Sequence, residues 1–113
     1  VRDDAATLEF MGTDVYRAGG RPALVVRPKS VDALRAAVRV CAAAGVAMVP
    51  RSGGASYTDG YTYAPGGHVL FDCGGLDQIE VDVPNAVVTC GPGVTWAALR
   101  NKLMEVGLRT PFW

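Results

Sequence analysis

A single histidine, His68, serves the whole 113-residue chain, and that shortage excludes a multi-histidine metal site. Cysteine is nearly as scarce. Cys41, Cys73 and Cys90 are odd in number, widely spaced and form no C-x-x-C pair, so no metal ligand set is expected from them. They read as ordinary buried thiols, which suits a reducing, cytoplasmic compartment. Neither sign of charge is in excess: 11 basic residues face 11 acidic ones. That balance removes any electrostatic case for a nucleic-acid or membrane-surface partner. No apolar run approaches the length of a membrane span.

What is present is a globular composition. Half of the residues are apolar, enough for one small domain with a modest core. The organising stretch begins with Val46-Ala47-Met48-Val49, a short apolar run that reads as a buried strand. It runs into Pro50-Arg51-Ser52-Gly53-Gly54-Ala55-Ser56-Tyr57-Thr58-Asp59-Gly60. Paired glycines permit positive φ and let a ligand approach the main chain, because no Cβ stands in the way. Successive N–H groups in such a loop can converge on an anion, with phosphate the usual guest. Ser52, Ser56, Tyr57 and Thr58 add hydroxyl groups around it. The residues leave two readings open, a phosphate cradle and a plain glycine turn. Other phosphate loops fail on context: no Gly-Lys-Ser/Thr follows, and no G-x-G-x-x-G opens a helix.

The flanking chain supplies the scaffold. Residues 1–21 have no clear period and read as an irregular lead-in, packed through Phe10, Val15 and Tyr16. Residues 23–27 are a short apolar run rich in β-branched residues, a second buried strand that Pro28 ends. Ser30 stands at an N-cap position with Asp32 in the first turn, and Val31, Leu34, Val38 and Cys41 mark one helical face. Gly45 is placed to stop that helix. Tyr61 and Tyr63 belong to a continuing loop, where they either cover a ligand or, the favoured reading, cap the edge of the core, and His68 beside Gly67 is expected at the surface. Residues 69–72 form another buried strand, and 78–82 with 86–90 form a hairpin across Val83-Pro84-Asn85. After Gly91-Pro92-Gly93, Thr95 caps a helix carrying Trp96, Leu99, Leu103 and Val106 on one side. Gly107 stops it, and 108–111 repeat the helix–glycine–strand order of 45–49. The sum is an α/β unit of two layers, a β-α-β portion followed by a hairpin and helix.

Three stretches together resemble a known family. The loop from Pro50 to Gly60, the preceding Val25-Val26-Arg27-Pro28-Lys29-Ser30-Val31 and the later Gly91-Pro92-Gly93-Val94-Thr95-Trp96 look like the FAD-linked oxidases of the vanillyl-alcohol oxidase type. The similarity is to their PCMH-type FAD-binding domain, and the berberine-bridge-like branch is nearest. It runs from about Pro22 to Pro111, leaving 1–21 as the lead-in that wraps the outside. The resemblance implies that the β-α-β portion is one FAD-binding subdomain and that the hairpin and helix begin a second. It implies that Pro50, Arg51, Ser52, Gly53, Gly54, Ala55, Ser56 and Tyr57 bind the cofactor, mainly through their amides on the pyrophosphate. Arg51 keeps two readings, direct phosphate pairing and a structural ion pair.

The implied activity is that of the FAD-binding portion of a flavin-dependent oxidoreductase. Its substrate would be a small alcohol, hydroxy acid or sugar-like molecule, and its electron acceptor oxygen or another oxidant. No catalytic residue is assigned within these positions, and the spacing of Asp72 and Asp77 asks for no acid–base pair. The start at Val1 and the apolar end at Pro111-Phe112-Trp113 suggest a piece of a longer protein, with the substrate-binding half elsewhere. The alternative is a non-catalytic anion-binding regulatory module with the same β-α-β core.

One departure from the resembled branch yields a prediction. That branch has a histidine after the paired glycines, covalently bonded to the flavin, whereas Ala55 stands there and offers no nucleophile. The peptide spanning 48–60, taken from denatured and digested whole protein, should carry no flavin mass. Flavin on that peptide would overturn the non-covalent reading.

Overall fold

A computed structural model describes residues 1–15 and 18–111. The expected roles of Tyr16, Phe112 and Trp113 lie outside the described residues. Element order is α1 (Ala5–Met11), β1 (Leu24–Val26), α2 (Val31–Ala43), β2 (Met48–Arg51), β3 (Val69–Asp72), a 3-10 turn (Cys73–Gly75), β4 (Ile79–Asp82), β5 (Val87–Cys90) and α3 (Trp96–Met104). The expected α/β class holds.

The three strands of the first sheet run parallel in the order β1-β3-β2. β3 therefore inserts between its predecessors and is buried along its whole length, with Leu70 at 0% exposure. Such burial on both faces is what a continuous apolar run in a parallel sheet requires. β2 lies at an edge, which tolerates Pro50, since its missing N–H faces away from the ladder. The register pairs Val26 with Phe71 and Arg51 with Asp72, so the three strands end almost level.

Side chains alternate between two packed faces. Val69 and Phe71 join Cys73 and Leu76, and Leu24, Val26, Leu34, Ala37, Cys41 and Val46 pack against them. Val25 and Leu70 point the other way, onto Leu8 and Met11 of α1. Ser30 caps α2 as expected, its Oγ accepting the Ala33 amide at 3.1 Å. The inward line is Leu34, Ala37 and Cys41, so the stripe is turned from the expected one, and Val31 and Val38 are exposed. The small side chains at Ala37 and Cys41 fit that close face. Beyond α2, Gly45 takes φ +64°, and Val46 N donates to Cys41 O while Gly45 N donates to Ala42 O. These two bonds satisfy carbonyls left open at the helix end.

Leu103 and Met104 receive the corresponding bonds from Leu108 and Gly107, so the helix–glycine ending is indeed used twice. The strand expected after the second one does not form; 108–111 make no ladder. The lead-in also differs from expectation. Asp4 accepts the Thr7 amide at 3.0 Å and starts α1, an N-cap that the sequence carried unread. Its packing residues are Leu8 and Met11 rather than Phe10 and Val15, which are 68% and 57% exposed.

The hairpin pairs Ile79 with Cys90 and Asp82 with Val87, half-exposed as the alternation predicts. Leu99 and Leu103 of α3 are buried, whereas Trp96 and Val106 are exposed. The two parts meet backbone to backbone. A Cβ on Gly91 would lie 2.1 Å from Leu76 O, and one on Gly93 2.6 Å from Gly74 O. Gly93 N donates to Leu76 O at 2.9 Å across this joint. Gly93→Ala should therefore destabilise the fold by about 1–3 kcal/mol through forced separation of main chains. A melting temperature equal to the unaltered protein would refute this joint.

His68 corrects another expectation: it is 0% exposed, not a surface residue. It is held because Ala23 N donates to its carbonyl and the chain turns directly into β3. Its ring meets Tyr63 edge-on at 5.5 Å, and neither nitrogen has a hydrogen-bond partner. Burial depresses its pKa, so the unfolded chain takes up a proton first as pH falls. Stability should be level above pH about 6.5, the ordinary histidine value, and fall below it. Thermal melts should show a weaker acid loss in His68→Leu; identical pH profiles would exclude this source.

Candidate functional site

Three chain exits share one edge of the parallel sheet. Arg27-Pro28 leaves β1, Ser52-Gly53 leaves β2 and Cys73-Gly74 leaves β3, each at the C-terminal end of its strand. Open parallel sheets bind ligands outside this edge, where loops from neighbouring strands converge. The glycine loop occupies the β2 exit. At β3 the Asp72 carboxylate accepts the Gly74 amide at 3.0 Å and pairs with Arg27 at 3.3 Å. This pairing fixes the exit from β3.

The loop is shaped from inside by Tyr61. Its buried ring sends the hydroxyl to the Gly54 carbonyl, and the same oxygen accepts the Ser56 amide at 3.4 Å. Tyr61 thus caps the core edge as expected, and its hydroxyl also ties two loop positions together, a role that spacing does not reveal. Ser56 Oγ folds the next turn by accepting the amides of Thr58 and Gly60, both at 3.2 Å. Asp59 completes the turn at φ +56°.

The predicted cofactor residues fall in two groups. Pro50 and Arg51 are the last residues of β2; Ser52, Gly53, Gly54, Ala55, Ser56 and Tyr57 follow as loop. Among the described residues, the N–H groups of Gly53, Gly54, Ala55 and Tyr57 have no internal partner. A Cβ built on Gly53 would meet nothing within 4 Å, so this part of the loop is open to an approaching group. Gly54, at φ +76°, is the position that needs glycine for its backbone. Unpartnered amides beside open space fit an anionic ligand such as a pyrophosphate.

Arg51 is committed elsewhere. Its Nη1 donates to Met11 O and Thr13 O, both at 2.8 Å, and its guanidinium stacks 4.6 Å from the Tyr61 ring. Gly91 and Gly93 close the joint below the β3 exit, as helix-entry geometry rather than as exposed amides.

The chain is 33% identical over 113 residues to D-2-hydroxyglutarate dehydrogenase of Stutzerimonas stutzeri, covering 98% of this chain and 24% of that protein. It is 30% identical over 88 residues to xylooligosaccharide oxidase of Thermothelomyces thermophilus, covering 78% of this chain and 18% of the relative. The chain thus spans about a fifth of the curated relatives it matches. The solved structure of an alkyldihydroxyacetonephosphate synthase superposes with a TM-score of 0.84 at 18% identity, covering 94% of this chain and 24% of that one. That likeness speaks for the fold. Residues 22–113, including all three stretches that carried the resemblance, match the FAD binding domain family, and the chain belongs to it.

Proposed function

We propose that this chain forms part of the cofactor-holding region of a flavin-dependent oxidoreductase. Its substrate is a small hydroxy acid, alcohol or sugar-like molecule. The observation that carries the reading is the row of unpartnered amides at Gly53, Gly54, Ala55 and Tyr57, set at the level end of a parallel sheet. The relatives named as a hydroxyglutarate dehydrogenase and a xylooligosaccharide oxidase support the substrate class.

FAD, when bound, supplies the redox chemistry by accepting a hydride from the substrate and passing electrons to oxygen or another acceptor. The residues here bind and orient it. The amides of Gly53, Gly54, Ala55 and Tyr57 face the pyrophosphate while that of Ser56 is held by Tyr61, and Pro50 and Arg51 set the exit of the loop from β2. Ser56 Oγ already accepts two amides, so its proton is directed to a phosphate oxygen in place of the 3.5 Å contact with Thr58 Oγ1. Ala55 leaves attachment to packing and hydrogen bonds. The catalytic base and the substrate contacts come from other parts of the protein.

The whole protein should be yellow as purified, and Gly53 is the clean place to disturb that. Gly53→Val adds a branched side chain into open space, with no internal neighbour to strain. It should remove most of the bound flavin while melting within about 1 kcal/mol of the unaltered apoprotein. Gly54→Val combines this obstruction with a forbidden φ and a clash on the Arg51 guanidinium, so it loses flavin and stability together. Normal flavin stoichiometry in Gly53→Val would refute the cradle, and a colourless whole protein would refute the cofactor reading.

A further inference from the structure

Arg51 stands where a phosphate-pairing cation would be expected, yet its guanidinium is bonded to main-chain carbonyls of the lead-in. Nη1 donates to the carbonyls of Met11 and Thr13, both at 2.8 Å. Met11 is the last residue of α1, so its carbonyl has no acceptor role within the helix, and a cation there also answers the helix dipole. The flat guanidinium lies over two rings, its Cζ 5.5 Å from the centre of Phe10 and 4.6 Å from the centre of Tyr61. Above it sits Gly54, whose missing Cβ would fall 2.6 Å from Nη2. Tyr61 in turn holds the Gly54 carbonyl and the Ser56 amide through its hydroxyl.

We propose that Arg51 and Tyr61 form a two-residue clamp that positions the pyrophosphate-binding loop by anchoring it to the lead-in helix. They are positioning residues. Tyr61 sets the separation of Gly54 and Ser56, and Arg51 sets the height of the Tyr61 ring and of Gly54. α1, which precedes the matched family region, is thereby part of the cofactor site without touching the cofactor. The proposal rests on the flavin reading for its ligand, whereas the clamp itself is a property of the apoprotein.

Shape, not charge alone, does this work. A lysine at position 51 keeps the positive charge but has no flat guanidinium to stack on a ring while donating to two carbonyls. A direct phosphate partner would survive that exchange in part. Tyr61→Phe keeps the ring under Arg51 and removes only the hydroxyl, so it guards against variants that fail to fold.

The test measures two quantities on the whole protein carrying this domain. The first is FAD affinity by flavin fluorescence titration of the apoprotein. The second is hydrogen exchange of the 52–61 peptide in the absence of FAD. Arg51→Lys and Arg51→Gln should weaken FAD equally, and Tyr61→Phe, which removes both hydrogen bonds of the hydroxyl, should weaken it by about tenfold or more. Tyr61→Phe combined with Arg51→Gln should be less than additive, as expected for residues acting as a unit. All of these variants should speed exchange across 52–61. Arg51→Lys retaining FAD affinity close to that of the unaltered protein would overturn the clamp in favour of charge pairing, as would unchanged exchange in Tyr61→Phe. If the unaltered protein binds no FAD, the cofactor reading falls, and the exchange result alone upholds or overturns the clamp.

Discussion

Everything in this domain is built around the insertion of β3 between β1 and β2. That one strand receives both parallel ladders, supplies core residues to both faces and brings its neighbours' C-terminal ends level. Its burial explains why Val69, Leu70, Phe71 and Asp72 tolerate no solvent-facing position, and why the single acid among them is paired with Arg27. A ligand site follows from the same constraint. Strands that end together must send their loops to one edge, and there the main chain still has donors to offer.

The glycines near that edge divide the labour between two kinds of close approach. Gly91 and Gly93 bring the hairpin part within main-chain distance of Leu76 and Gly74, leaving no space for a side chain. Gly53 faces the opposite condition, open space with an unpartnered amide. Glycine in a joint and glycine in a cradle look alike in sequence, since each means only that Cβ is absent. Neighbouring backbone atoms distinguish them.

A second division separates the surface of the loop from its support. The open amides are those of Gly53, Gly54, Ala55 and Tyr57, but their spacing depends on side chains nearby: Tyr61 on Gly54 and Ser56, and Arg51 against Phe10 and Tyr61. Loops hold a geometry only when something over-determines it. Here a helix end, two rings and a guanidinium do so. The lead-in, irregular by periodicity, becomes part of that support through carbonyls that any residue could have supplied.

Local chemistry was legible because it needs only near neighbours. Ser30 and Thr95 cap helices through their own hydroxyls, Gly45 and Gly107 end them, and the alternation of 79–82 marks a half-exposed strand. The glycine loop and its family were legible for the same reason, as a contiguous run of residues. What periodicity could not reach were contacts made at long range. The order β1-β3-β2, the burial of His68 and the inward turn of α2 onto Ala37 all depend on which elements lie opposite. Arg51 is the clearest case. Its sequence position allowed a phosphate partner or a structural one, and its partners in the fold lie 38 and 40 residues away. By itself the sequence determined the strands' apolar character, the helix ends and a glycine-rich loop after the second strand. Tertiary structure alone decided which carbonyls, rings and open spaces those groups would meet, because a side chain's role depends on neighbours that chain order does not bring together.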